Sequence, residues 1–231
     1  WLRDQGHHMR GIRLDSGDLA YLSQEARKRL DAAGFEDALI VGSNDLDEHV
    51  IASLKDQGAA IGAWGVGTRL ATAFDDPALG GIYKLVAVRD PGEPWQYKVK
   101  ISEEKAKSSV PGILQVRRFE KDGVFRGDMI YNEPDGAPEA PATIVDPTDE
   151  TRRKTFRDET VRGDLLVPLF RGGELVYDPP CLEDVRARVQ DELSRLHPGI
   201  KRFVNPHRYP AGLEKSLHDR RTALILKARG E

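Results

Sequence analysis

The sequence is poor in cysteine. A single one, Cys181, stands among 231 residues, so no internal disulfide can form and a disulfide-stapled fold is excluded; the pattern fits a reducing compartment, and the expected setting is the cytoplasm. Apolar runs are too short to span a bilayer, and no signal-peptide pattern opens the chain, so no membrane partner is expected. A basic excess is also missing. The net charge of −3 argues against a generic nucleic-acid binder. Solenoid-type repeats and low-complexity tracts are lacking. What remains is 39% hydrophobic and 32% charged residues, the make-up of a globular chain long enough for a sizeable core or for one domain plus a smaller one. An initiator Met is absent too. Trp1 to Arg10 reads as the tail of a helix running into a strand, with His7-His8 either a metal pair or, more plainly, a solvated turn after Gly6.

The chain is organised around residues 11–68. Three short apolar runs each feed a polar or glycine-bearing loop: Arg13-Leu14-Asp15-Ser16-Gly17-Asp18, Gly42-Ser43-Asn44-Asp45 and Gly65-Val66-Gly67-Thr68. Strand, loop and helix recur at roughly 25-residue spacing, the rhythm of a parallel α/β barrel or open sheet. In that architecture the loops after the strands collect on one face, where ligands bind. Leu19, Leu22, Ala26, Leu30 and Ala33 predict a helix capped by Asp18 and stopped by Gly34; Leu46, Val50, Ile51 and Leu54 predict a second, capped by Asp45 or Asp47 and stopped by Gly58. A third strand over 59–64 and a short helix from Arg69 to Phe74 complete this part.

After Asp75-Asp76-Pro77 the pattern becomes mainly antiparallel. Strands are expected at 83–89, 97–101, 114–119 and 124–130, the last two joined by an Asp122-Gly123 hairpin turn. Residues 132–150 read as an exposed connector. A second hairpin is centred on Gly172-Gly173, a helix covers 182–196, and a last helix lies near 214–229. The fold class expected is α/β: an irregular TIM-like barrel portion over 1–90, bearing the phosphate-binding loops, and a β-rich and helical section over 91–231 that completes a second domain.

Each loop has a bland reading and a chemical one. Gly65, Val66, Gly67 and Thr68 are either a glycine turn needed for geometry or a phosphate cradle at a helix start. Arg13 and Asp15 lie two apart on one strand, so they share a face; they are either a buried ion pair or an Arg for a carboxylate and an Asp for sugar hydroxyls. Ser43, Asn44 and Asp45 are either a helix cap or further ligands beside Asp15. Lys98, Lys100, Lys105 and Lys107 around Ser102 are either a solvated face or a compact anion patch.

These residues, together with Tyr83-Lys84-Leu85-Val86, Pro111-Gly112 and Asn205-Pro206-His207-Arg208-Tyr209-Pro210, resemble nicotinate phosphoribosyltransferase in order and spacing over nearly the whole chain. The resemblance implies synthesis of nicotinate mononucleotide and pyrophosphate from nicotinate and phosphoribosyl pyrophosphate in NAD salvage, with Mg2+ and ATP hydrolysis, in a homodimer with sites at the subunit interface. It further implies Arg13 beside the nicotinate carboxylate and Asp15 on ribose hydroxyls or metal-bound pyrophosphate. Ser43 and Asn44 line the ribose and phosphate pocket, Gly65, Gly67 and Thr68 bind the 5′-phosphate, and Lys100, Ser102 and Lys107 reach phosphates, in their own or the partner subunit's site; Ser16, Gly17, Asp18, Asp45 and Val66 are counted with them as substrate-binding. The family's upstream Gly-Thr-x-Ala-His-Ser motif has no counterpart, and none of the six histidines matches it. The chain is therefore expected to be a C-terminal part, inactive alone. The family usually carries Gly where Asn44 stands and a basic residue where Leu114 stands. Two other readings are a non-catalytic phosphate- or nucleotide-binding module of that descent, and another sugar-phosphate barrel such as an aldolase or isomerase; the latter wants a Schiff-base Lys or a general base on a strand, and no Lys lies in the three core strands.

Overall fold

The computed structural model describes residues 1–2, 4–102 and 108–230. The chain divides into two compact units, Trp1–Gly81 and Ile82–Glu231.

In the first unit, β1 (Gly11–Leu14), β2 (Leu39–Gly42) and β3 (Ala63–Trp64) form a parallel sheet in the order β1-β2-β3. Helix α1 (Leu19–Ala32) links the first pair, α2 (Glu48–Asp56) the second, and the single turn α3 (Thr68–Ala71) follows β3. Three strands make an open sheet; closing a barrel of this kind takes about eight, so the described residues do not themselves form the barrel that the spacing suggested. Both long helices begin and end in the same way. Asp18 accepts from the Tyr21 amide at 3.0 Å and Asp47 from the Val50 amide at 2.8 Å, which settles the second cap on Asp47 rather than Asp45. At the other end Gly34 (φ +75°) and Gly58 (φ +72°) turn the chain in the left-handed region. There the Phe35 and Ala59 amides donate back to the Leu30 and Leu54 carbonyls, the double-bonded stop that needs glycine. Leu19, Ala20, Leu46 and Leu54 form one core cluster and Leu30, Ala38 and Ile40 another. Leu22, expected inside, is exposed; the buried position is Ser23, whose hydroxyl donates to the Ala20 carbonyl and accepts from the Ala60 amide. Residues 1–10 show hydrogen-bonded turns rather than a helix tail among the described positions.

The second unit begins with a short ribbon, β4 (Ala87–Val88) antiparallel to β5 (Gln96–Tyr97), much briefer than the two strands expected there. Its main body is a mixed six-stranded sheet. The strands are β6 (Leu114–Lys121), β7 (Val124–Asn132), β8 (Ala142–Val145), β9 (Arg153–Phe156), β10 (Thr160–Asp164) and β13 (Ala211–Glu214), in the order β10-β6-β7-β13-β8-β9. Asp122 and Gly123, at φ +53° and +73°, form the tight turn between β6 and β7. β8 corrects the exposed-connector reading: Ile144 and Val145 are buried, and the strand is antiparallel to β13 and β9. A small hairpin, β11 (Phe170–Arg171) and β12 (Glu174–Leu175), precedes α4 (Leu182–Ser194), and α5 (Lys215–Arg229) closes the chain. Phe119, Met129, Ile144 and Phe156 make the core, with the Phe119 and Phe156 rings stacked at 4.2 Å.

Candidate functional site

In the first unit the polar loops after β1 and β2 meet. Ser43 is buried, and its hydroxyl donates to Asp15 Oδ1 at 3.0 Å while accepting from Arg13 Nε at 2.9 Å. Arg13 Nη2 reaches Asp15 Oδ2 at 2.7 Å. Arg13 and Asp15 thus share a face, as the spacing of two requires, but their side chains are 63% and 57% exposed. The pair stands open at the carboxyl edge of the sheet, so it is not the buried ion pair of the bland reading, and its charges escape the cost of burial. Gly65 joins them: its amide donates to the Gly42 carbonyl at 2.8 Å, and a Cβ on it would lie 3.4 Å from Ser43 Cβ. Arg13, Asp15, Ser43 and Gly65 are therefore neighbours on one rim.

The remaining loop residues divide by what already occupies them. Asp18 caps α1 through one oxygen. Gly17, at φ +77°, has a conformational reason to be glycine, and Ser16 is exposed. Asn44 (φ +104°) and Asp45 (φ +44°) are consecutive exposed non-glycines at positive φ. Such strain costs about 1–3 kcal/mol per residue and gathers at ligand sites. Val66 packs on the core through its side chain, so only its backbone is available. Gly67 caps α3 at φ −100°, ψ −100°, outside the wells of an L side chain, while Thr68 is exposed. With α3 a single turn, the helix-dipole part of the phosphate argument is small; what the loop offers is close backbone approach and amides.

Lys100 and Ser102 lie in the second unit. The Lys100 amide donates to Ser109 Oγ at 2.8 Å and the Ser102 amide to Ser108 Oγ at 3.3 Å. Lys107 lies outside the described residues, as does Lys105. Lys84 was not among the candidates named from the sequence. The Ala87↔Tyr97 and Val88↔Gln96 register, extended by the Lys98 amide donating to the Val86 carbonyl at 2.9 Å, puts Lys84 opposite Lys100. The Lys100 ammonium beside it holds the Lys84 pKa below the usual lysine range. Like charges opposite one another are unfavourable without an anion; only the cross-strand register, not either lysine alone, carried the signal. Among the described residues no group of three or more His, Cys, Asp or Glu is placed to hold a metal. Nor is any helix long and apolar enough to cross a membrane.

A parallel α/β unit whose strand-end loops converge on an acid, a guanidinium and a glycine turn is of the class that binds small molecules at the carboxyl ends of its strands. Residues 115–221 match the family described as nicotinate phosphoribosyltransferase C-terminal domain. The nicotinate phosphoribosyltransferase of Bacillus subtilis (strain 168) is 42% identical over 207 residues, covering 89% of this chain and 42% of that protein. The human one is 36% identical over 225 residues, covering 94% and 41%. A crystal structure of human nicotinic acid phosphoribosyltransferase matches with a TM-score of 0.68 at 32% identity over 95% of this chain and 41% of that one. The chain belongs to the nicotinate phosphoribosyltransferase family, and it spans about two fifths of the length of the relatives it matches.

Proposed function

We propose that this chain supplies the ribose-phosphate rim of a nicotinate phosphoribosyltransferase, which joins nicotinate to phosphoribosyl pyrophosphate, releases pyrophosphate in NAD salvage, and couples this to ATP hydrolysis as a cytoplasmic homodimer. The observation that carries the reading is the hydrogen-bonded set Arg13–Asp15–Ser43 beside Gly65 at the strand ends. Arg13 offers an exposed planar fork suited to the pyridine carboxylate. Asp15, Ser16 and Ser43 suit the ribose diol, with Gly17 and Asp18 shaping that loop. Asn44 and Asp45 border the pocket, and the amides of Gly65, Val66, Gly67 and Thr68 suit the 5′-phosphate. Lys100 and Ser102, with Lys107, suit further phosphates. Substitution at the anomeric carbon passes through an oxocarbenium-like state, so the protein needs no nucleophile of its own; positioning the reactants and stabilising the departing pyrophosphate carry the rate.

Mg2+ fits this donor set. That ion keeps most of its waters and takes one or two carboxylates plus phosphate oxygens, and each oxygen of exposed Asp15 accepts a single hydrogen bond and retains a lone pair. When bound, the metal neutralises charge on pyrophosphate; Asp15 would hold it.

Given nicotinate, phosphoribosyl pyrophosphate and Mg2+, the chain alone is expected to release no pyrophosphate above the protein-free background; turnover by the chain alone would overturn the reading that further residues are required. In a protein with the full length of its relatives, Asp15→Ala is expected to lower turnover by about a hundredfold or more. A wild-type rate would remove Asp15 from the site.

A further inference from the structure

The second unit holds a cavity of about 560 Å³ whose lining includes Arg126, Lys154, His197, Arg202, His207 and Arg208 and, among the described residues, no carboxylate. The segment Asn205–Pro210, part of the family resemblance but without a role in the rim, forms one wall.

Three features show that the cations are set in place by the fold. Phe119 pairs with Gly127 and Glu120 with Phe125, so Arg126 is the extra residue of a β-bulge in β7. A bulge of this kind turns a side chain out of the regular alternation. The freed Arg126 carbonyl accepts the Lys154 ammonium, which also lies 5.2 Å from the Phe156 ring centre. Second, Arg126 Nε is buried with no hydrogen-bond partner among the described residues, and a buried unsatisfied donor is costly. Third, the opposite wall is a tight turn. His197 Nδ1 accepts the Gly199 amide at 3.1 Å and the His207 amide donates to the Gly199 carbonyl at 2.8 Å. A Cβ on Gly199 would come within 3.5 Å of Arg202 Nη2. Of the neighbouring carboxylates, Asp146 pairs with Arg208 of the lining at 2.8 Å, Asp158 pairs with Lys121, and Glu159 accepts the Arg157 amide while its charge also acts on Lys154. Arg126, Lys154 and Arg202 are left without a carboxylate within ion-pair distance among the described residues. Burial pushes the Lys154 pKa down; the nearby Glu159 charge opposes this and Arg126 adds to it.

We propose that this cavity binds an oligophosphate group. The chemistry is specific to a multivalent, multi-oxygen anion: two guanidinium forks and an ammonium ask for several acceptor oxygens at once, which a di- or triphosphate provides and chloride or a single carboxylate does not. The volume falls in the range of small-molecule sites.

The test is a titration of the intact chain with tripolyphosphate at about 0.15 M salt, followed by backbone amide NMR shifts so that this cavity is read separately from the rim of the first unit. Shifts are expected at residues 124–126, 154 and 197–210. Arg202→Gln, an exposed position whose loss does not threaten folding, is expected to weaken binding about tenfold or more, as is Arg126→Gln. Lys121→Gln removes an equal charge outside the lining and is expected to change affinity by less than about twofold. Unmoved amides in these segments would overturn the proposal, and so would equal weakening by all three variants.

Discussion

At the scale of single residues, two arginine–carboxylate forks anchor β6 of the second unit to its neighbouring strands. Arg117 grips Asp164 through Nε and Nη2, both at 2.8 Å, and Tyr131 adds a third hydrogen bond. Arg118 grips Asp128 in the same manner at 2.9 and 2.8 Å, with Tyr209 donating to Asp128 Oδ1 at 2.9 Å. The Arg117 side chain is only 11% exposed, so loss of its partner strands a largely desolvated cation. Asp164→Asn is expected to cost about 2 kcal/mol in chemical denaturation near neutral pH. The hydrogen bonds from Arg117 hold the Asp164 pKa below the usual carboxylate value. Its stabilisation is then complete above the unfolded value of about 3.9 and is lost as pH falls through the lower folded value. The gap between wild type and variant should narrow only below about pH 4; a gap that closes near pH 6 would refute this account. At the rim, the identities of Arg13, Asp15 and Ser43 were legible in the sequence, since a spacing of two fixes a shared face. Their mutual hydrogen bonds and open exposure were not, because those depend on how β2 lies against β1.

At the scale of elements, the α1 and α2 repeats are the most legible part of the chain. An aspartate three residues before the amide it accepts, an apolar stripe, and a glycine after the last turn are all local signals, and the observed helices keep them. Asp47→Ala is expected to destabilise by about 1 kcal/mol, and Gly58→Ala, at φ +72°, by about 1–2 kcal/mol. The two changes act at opposite ends of one helix and should add in thermal or urea unfolding. The Asp122-Gly123 turn was legible for the same reason. The strands β8 and β13 were not. Ile144-Val145 sits amid proline and acidic residues that read as connector, and β13 enters the sheet between β7 and β8 from far along the chain. Edge and central positions of that kind follow from long-range pairing, which no local window contains.

At the scale of the whole molecule, the division falls at Gly81/Ile82. Leu79 and Tyr83 on either side are fully exposed and Ile82 is 78% exposed. Exposed segments of this kind are preferred sites of proteolytic nicking. Chymotrypsin under native conditions is therefore expected to cut between Phe74 and Tyr83 before cutting elsewhere, leaving two resistant fragments on a denaturing gel. Early cleavage within 114–164 would contradict the division. Within each unit the candidate chemistry takes a different form. In the first it is a strand-end rim built from loops close in sequence; in the second it is a cationic cavity assembled from a bulge in β7, a lysine of β9 and the loop before β13.

Local chemistry decided what could be read from the amino-acid order: helix caps and stops, one tight turn, the shared face of Arg13 and Asp15, and the motifs that carry the family resemblance, all of which depend on neighbours a few residues apart. The folded chain alone decided the rest. Strand order, the exposure of the Arg13–Asp15 pair, the lysines set opposite each other at 84 and 100, and the turning of Arg126 into a cavity with Lys154 and Arg202 arise from contacts between residues far apart in sequence, where pairing geometry and solvent access, rather than residue type, set the chemistry.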